Sequence, residues 1–291
     1  MGILLTGGSG QLGTAIKKEL NLQGLEFTSP TSTELNICDQ SRINKFLDEL
    51  RPTTIINCAA WTDVDGAESN PQGAYELNAI GPQNIAISAR NYGARLIHIS
   101  TDYVFSGEGK NEWNELDKHD PQSIYGKSKS EGERLTLNEY QEGTYIVRTA
   151  WLYSEIRKNF AITMAKLALQ GTGEVRVVND QIGQPTFAGD LAKQILNLIS
   201  SKAPIGVYHG TNSGKATWYE FAREIFEQSG ADVTRVIPVS TLDFPRPAIR
   251  PKFSVLGRES WGMTSIKPMR DWRIALREAM PAIISAVNTK E

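Results

Sequence analysis

The chain has 291 residues, 40% hydrophobic and 22% charged, with 31 Lys and Arg against 33 Asp and Glu and a formal net charge of −2. That length and mixture describe one large or two closely packed globular domains and exclude a disordered or low-complexity chain. The near-neutral charge argues against a nucleic-acid partner, and no apolar run approaches the roughly 18 residues that a membrane span needs.

In chain order, residues 2–5 read as a first buried strand, residues 10–21 as a helix and residues 25–28 as a second strand. Asp39 can cap a helix to Leu50, which Arg51-Pro52 breaks; a third strand covers residues 53–57. Asn70-Pro71 opens one long helix to Asn91, a fourth strand covers residues 95–100, a helix follows Ser123, and residues 144–149 form another strand. Short apolar strands alternating with helices predict an α/β fold: a Rossmann-type doubly wound parallel sheet with a smaller interleaved C-terminal lobe. Beyond it, residues 159–170 and 189–199 read as helices around a strand near 175–178, and Thr217-Trp218-Tyr219-Glu220 is a capping box. Pro238, Pro245, Pro247 and Pro251 predict an ordered surface loop, and residues 271–287 a last helix interrupted at Pro281.

Two cysteines, Cys38 and Cys58, are too few for a disulfide scaffold, and His98, His119 and His209 have no metal-ligand spacing. The expectation is a cytoplasmic protein of a reducing compartment, with no metal site.

The first strand runs into Thr6-Gly7-Gly8-Ser9-Gly10-Gln11-Leu12-Gly13. Gly7 suits a tight turn, Gly10 lets a pyrophosphate approach the backbone, and Gly13 lets the helix pack on the strand. At that place in an alternating chain the pattern points to a dinucleotide, held at a helix N-terminus. Residues 28–33, Thr-Ser-Pro-Thr-Ser-Thr, supply hydroxyls and no acid at the end of the second strand. This leads to NADPH, with NADH tolerated.

Tyr125-Gly126-Lys127-Ser128-Lys129 puts a tyrosine and a lysine one helical turn apart, where an ammonium can stabilise a phenolate. Ser100-Thr101-Asp102-Tyr103 ends the fourth strand at the sheet edge where such folds bind ligands, and Thr101 can bond a carbonyl oxygen. Together they describe a carbonyl-reduction site.

These residues resemble the extended short-chain dehydrogenase/reductase superfamily and, within it, the dTDP-4-dehydrorhamnose reductases. The resemblance runs from the glycine turn through Asn57 to Glu68, Ser100 to Phe105, Tyr125 to Lys129, Arg148 to Trp151 and Asn179 to Thr186, and on to the last helix. It implies NADPH-dependent reduction of the 4-keto group of dTDP-4-dehydro-L-rhamnose, with Tyr125 as proton donor, Lys129 as its partner and Thr101 as carbonyl polariser. Gly7, Gly10, Gln11, Leu12, Gly13, Asn36, Ile37, Ala59, Ala60, Trp61, Thr62 and Ile99 would line the dinucleotide with Tyr125 and Lys129. Thr101, Asp102, Tyr125, Trp151 and Arg250 would meet a dTDP-linked 4-keto sugar. A dinucleotide-binding domain over residues 1–150 would carry a substrate lobe over 151–291, with about 179–210 returning to the first domain, in a monomer or homodimer. Three positions depart from the family pattern: Asn36 replaces a common aspartate, Trp61 a common Tyr or His, and Phe253 an asparagine before Ser254. A related epimerase also uses Tyr and Lys, and the regulatory β subunit of methionine adenosyltransferase shares this branch without being a demonstrated reductase. A dehydratase would place Glu after Asp102, where Tyr103 stands.

Overall fold

Side chains of a strand alternate between its two faces, so a strand apolar at every position must be covered on both. Ile3 and Leu5 pack on one side of the first strand and Leu4 on the other. The computed structural model describes residues 2–289; Met1 and the last two positions of the 151–291 lobe lie outside the described residues.

The elements that frame the site are β1 (Ile3–Thr6), α1 (Gln11–Leu22), β2 (Phe27–Thr28), α2 (Gln40–Leu50), β3 (Thr54–Asn57), α3 (Gly81–Tyr92) and β4 (Arg95–Thr101). They continue with α4 (Ile124–Tyr140), β5 (Thr144–Thr149), α5 (Phe160–Gln170), α6 (Ala188–Ser200), β6 (Gly206–His209), α7 (Trp218–Gln228) and α8 (Trp272–Asn288). The six strands form one sheet in the order β6-β5-β4-β3-β1-β2, and every pairing is parallel. The order reverses between β1 and β3, which opens a crevice beyond their carboxyl ends.

One face of the sheet is covered by Leu12, Ile16 and Leu20 of α1 and Leu191 and Ile195 of α6, the other by Ile43 and Leu47 of α2 and Ile85, Ala86 and Ala89 of α3. Residues 188–209 therefore belong to the sheet layer, although they follow α5. The second lobe has its own core, in which Phe221, Ile225 and Phe226 of α7 meet Trp272, Leu276, Met280 and Ile283 of α8. Asp190 on α6 and Arg270 before α8 join the two bodies through paired bonds of 2.8 Å.

Three expectations from the pattern change. The long helix after Pro71 contains a π turn at Glu76–Ile80, where the Gly81 amide reaches back five residues to the Glu76 carbonyl. Pro82 follows, with no N–H and a ring that would crowd the Asn78 carbonyl in a regular α-turn, so the wider turn removes the conflict. Pro238 lies in a strand, Val236–Val239, paired in parallel with Val175–Val178. A two-stranded ribbon is all edge, so the missing donor costs no ladder bond.

Nor does Pro281 interrupt the last helix: α8 runs through it, with Pro281 on the exposed side. Trp272, Leu276, Met280 and Ile283 seat both halves in the core, and their burial outweighs one lost backbone bond. Pro281→Ala restores that bond, offset in part by a freer unfolded chain. Stability should rise by about 1–2 kcal/mol, read as a higher Tm in thermal unfolding; an unchanged or lower Tm would show that the ring itself packs.

Candidate active site

The chain leaves β1 through Gly7 at φ 70°. A Cβ there would lie 2.5 Å from the Ala59 nitrogen, and one on Gly13 would lie 2.3 Å from the Gly7 carbonyl oxygen, so both positions exclude a side chain. Gly10 caps α1 without a capping side chain, which leaves the first helical amides facing outward for an anion. Gln11 ties this turn to the second lobe by accepting from the Ser154 hydroxyl and the Asn159 amide, both at 2.9 Å. The Leu12 side chain is core, so only its backbone faces the turn.

Beside the turn lies a cavity of about 160 Å³ whose lining includes Lys17, Ser29, Ser32, Asn36, Ile37 and Ala59. Lys17 is its one cation, and no carboxylate lines it among the described residues. Thr31 is spent on Glu34, to which its amide and hydroxyl both donate, leaving the serine hydroxyls for a ligand. Asn36 accepts the Cys38 amide at 3.0 Å, and Ile37 is buried. Beyond β3, Ala60 is half-buried and Thr62 exposed. Trp61 is pinned between them: its amide donates to Asn78 Oδ1 at 2.8 Å and its indole to the Asp63 carbonyl at 2.9 Å.

Ser123 caps α4 by accepting the Gly126 amide, which fixes the turn that carries Tyr125 and Lys129. The Thr101 hydroxyl at the end of β4 neighbours the Tyr125 phenol and favours its ionised form. Burial pushes it up to about 12, Thr101 pulls it back and the Asp102 charge adds to the rise, so the phenol is a fully protonated donor at neutral pH. Thr101 in turn donates to Asp102 Oδ1 at 2.9 Å. Asp102 is buried, which raises its carboxyl to about 6 against the opposing Ser254 and Thr101 hydroxyls; its Oδ2 has no protein partner.

Lys129 is also buried, and its ammonium is turned to the Ile99 carbonyl at 2.7 Å and to His98 Nε2 at 3.5 Å. His98 Nδ1 lies 3.1 Å from the Asn57 amide, and Asn57 accepts from Thr6 at 2.7 Å. A polar line thus crosses the carboxyl ends of β1, β3 and β4 and finishes at the lysine. Burial and the Lys129 charge hold His98 well below its ordinary value, so it is neutral.

Arg250 reaches Asp65 at 2.8 Å, while its Nη1 is buried without a protein partner. Its charge also acts on Tyr103, which meets the Tyr125 ring edge-on at 5.4 Å. Thr101, Asp102, Tyr125 and Arg250 therefore share one neighbourhood. Trp151, at φ 45°, is half of a stack with Trp218, ring centroids 3.6 Å apart.

Sequence reasoning passed over four residues here: Lys17, Asp65, Asn78 and Glu133. Glu133 carried a usable signal, four residues after Lys129 on the same helix face. Asn78 was visible only as a polar residue between Leu77 and Ala79. Lys17 and Asp65 gain meaning only from what lies across the crevice.

A parallel sheet of this order, a glycine turn at its reversal and a Thr-Tyr-Lys set at its carboxyl edge define an oxidoreductase of the extended short-chain dehydrogenase/reductase type. A family model described as the RmlD substrate binding domain matches residues 1–284. The dTDP-4-dehydrorhamnose reductase of Streptomyces griseus is 42% identical over 284 residues, covering 96% of this chain and 93% of that protein. The crystal structure of a dTDP-4-dehydrorhamnose reductase from Clostridium acetobutylicum superposes with a TM-score of 0.92 at 44% identity, over 97% of this chain and 99% of that one. That of Bacillus anthracis, a complex with NADP, gives 0.92 at 38% identity over 96% and 98%. The chain belongs to the dTDP-4-dehydrorhamnose reductase family.

Asn78 is fully buried, accepts the Trp61 amide and donates to the Trp61 carbonyl and the Ser128 hydroxyl. Asn78→Ala would orphan both backbone groups of Trp61. The expected cost is about 2–4 kcal/mol, seen as a Tm several degrees lower; a Tm within a degree of wild type would mean water replaces the amide.

Proposed function

We propose that this chain reduces the 4-keto group of dTDP-4-dehydro-L-rhamnose with NADPH, giving dTDP-L-rhamnose. The observation that carries the reading is the placing of the Thr101 hydroxyl and the Tyr125 phenol side by side, with buried Lys129 one helical turn on, at the carboxyl edge of the sheet and next to the glycine turn. The turn fits a dinucleotide because Gly7 and Gly13 leave no room for a Cβ and the α1 amides face outward. When bound, NADPH supplies the hydride for the sugar C4.

The protein's residues handle the oxygen. An alkoxide is far more basic than a phenolate, so a phenol held near 12 can still protonate it completely. Raised acidity is needed only for the reverse, oxidative direction. Thr101 lies beside the phenol, and its hydroxyl can turn its proton from Asp102 to a bound carbonyl oxygen. Lys129 stands one turn behind Tyr125 and compensates the phenolate left by proton transfer. Arg250 Nη1, buried and unpaired, is suited to the substrate diphosphate. Lys17, with Ser29 and Ser32, is suited to the 2′-phosphate that distinguishes NADPH from NADH.

The direct test follows nicotinamide absorbance with dTDP-4-dehydro-L-rhamnose as substrate. Wild type should oxidise NADPH, and Tyr125→Phe should bind NADPH normally with kcat lowered at least a hundredfold; near-normal turnover by the variant would remove Tyr125 from the chemistry. Lys17→Ala should raise KM for NADPH about tenfold and leave KM for NADH within twofold. Equal effects on both would assign Lys17 to the pyrophosphate or to stability instead.

A further inference from the structure

The mechanism above gives no task to Glu133, although it is one of the most deeply buried charges in the protein. It lies four residues beyond Lys129 on α4 and is 1% exposed. Arg148 of β5 grips it with Nε 2.9 Å from Oε1 and Nη2 2.7 Å from Oε2. His119, from the loop before α4, stands 3.6 Å away. Burial opposes the charge, but Arg148 and His119 outweigh it and hold the carboxyl near 2. A buried anion is therefore gripped by Arg148 one helical turn from the buried ammonium of Lys129.

The groups facing Lys129 are few. His98 of β4 is neutral, and Cys58 beyond β3 is a thiol that burial pushes up to about 12, so neither carries charge at neutral pH. Tyr125, on the same helix, is protonated. The Ile99 carbonyl gives Lys129 a dipole but no charge. On the far side of the carboxylate, His209 of β6 is held near 3 by burial and Arg148. Glu115 meets Arg148 through its backbone carbonyl alone. Among the described residues, Glu133 is thus the one anion placed to balance the buried ammonium.

We propose that Glu133 is a positioning residue of the reaction: its carboxylate, fixed by Arg148, keeps Lys129 charged at neutral pH and so keeps a cation behind the phenol that gives up its proton. The energetics point the same way. Burial draws the Lys129 ammonium down and Glu133 is the first group that resists the fall, which leaves it at about 8. Without it the ammonium would be lost at a lower pH, since a group needed in its protonated form fails as pH rises through its own titration.

The inference rests on the reductase reading for its readout. The pH profile of kcat should be measured with saturating NADPH and keto-sugar for wild type, Glu133→Gln and Glu133→Asp. In Glu133→Gln the alkaline limb should move down by a unit or more, so that kcat falls about tenfold at pH 8 and recovers towards pH 6, with NADPH affinity within threefold. Glu133→Asp should return the limb towards wild type. The shift should vanish in a Lys129→Met background. Because Glu133→Gln alone leaves Arg148 unpaired, the double variant Glu133→Gln/Arg148→Met removes both charges and should show the same displaced limb. A profile of unchanged shape, merely lower at every pH or accompanied only by a lower Tm, would overturn the inference and leave Glu133 a structural partner of Arg148. No turnover by wild type at any pH would instead overturn the reductase reading.

Discussion

The guanidinium of Arg148 is the constraint on which the surrounding architecture turns. A buried cation is tolerable only when its charge is matched and its donors are occupied. Arg148 meets that demand by drawing acceptors from separate stretches of chain: Glu133 on α4, the Glu115 carbonyl and His119 in the loop before it, and His209 on β6. Its flat face lies over Phe105 at 5.1 Å. The bonds continue outward, from His209 to the Gly257 carbonyl and from the Ser260 amide to Glu115. The sheet, the helix bearing Tyr125 and Lys129, and the loops of the second lobe are therefore located by one planar group. The separation between Thr101 on a strand and Tyr125 on a helix follows from how that group is satisfied.

Much of the sheet was legible because each of its signals is local. Residues 3–5 are apolar without a break, and the glycines that follow at once form a pattern contained within eight residues. Tyr125 and Lys129 share a helix face by spacing alone. Other features depend on energy supplied from elsewhere. Pro281 carries a breaker signal, and nothing local reveals that Trp272 and Met280 anchor the helix on either side of it. Pro82 likewise marks a conflict, but a break and a π turn resolve it equally well until the neighbouring helix is known. The spacing of Tyr125 and Lys129 suggested a direct contact, whereas the ammonium prefers the Ile99 carbonyl, an acceptor no pattern announces.

The second lobe was harder to read for a related reason. Its core and its contacts with the first domain join segments far apart in sequence, as where Trp151 stacks on Trp218 and Arg250 pairs with Asp65. Such pairs leave no periodic trace. Family resemblance could place Trp151 and Arg250 near a ligand, but not say that each already has a protein partner. For Arg250 that partner is an anion, Asp65, which occupies Nη2 and leaves Nη1 without a partner among the described residues.

The π turn at Glu76–Ile80 also sets a phase. One residue beyond a regular α-turn corresponds to about 100° of rotation about the helix axis, so the stretches on its two sides present faces no single α-helix could align. Before it, Ala74 is buried; after it, Ile85, Ala86 and Ala89 face the sheet. Losing one residue here would rotate every later side chain out of the core while leaving each residue's helix propensity untouched. This segment is thus tolerant of substitution at its exposed positions and intolerant of any change in its count, a form of constraint that resides in length rather than in composition.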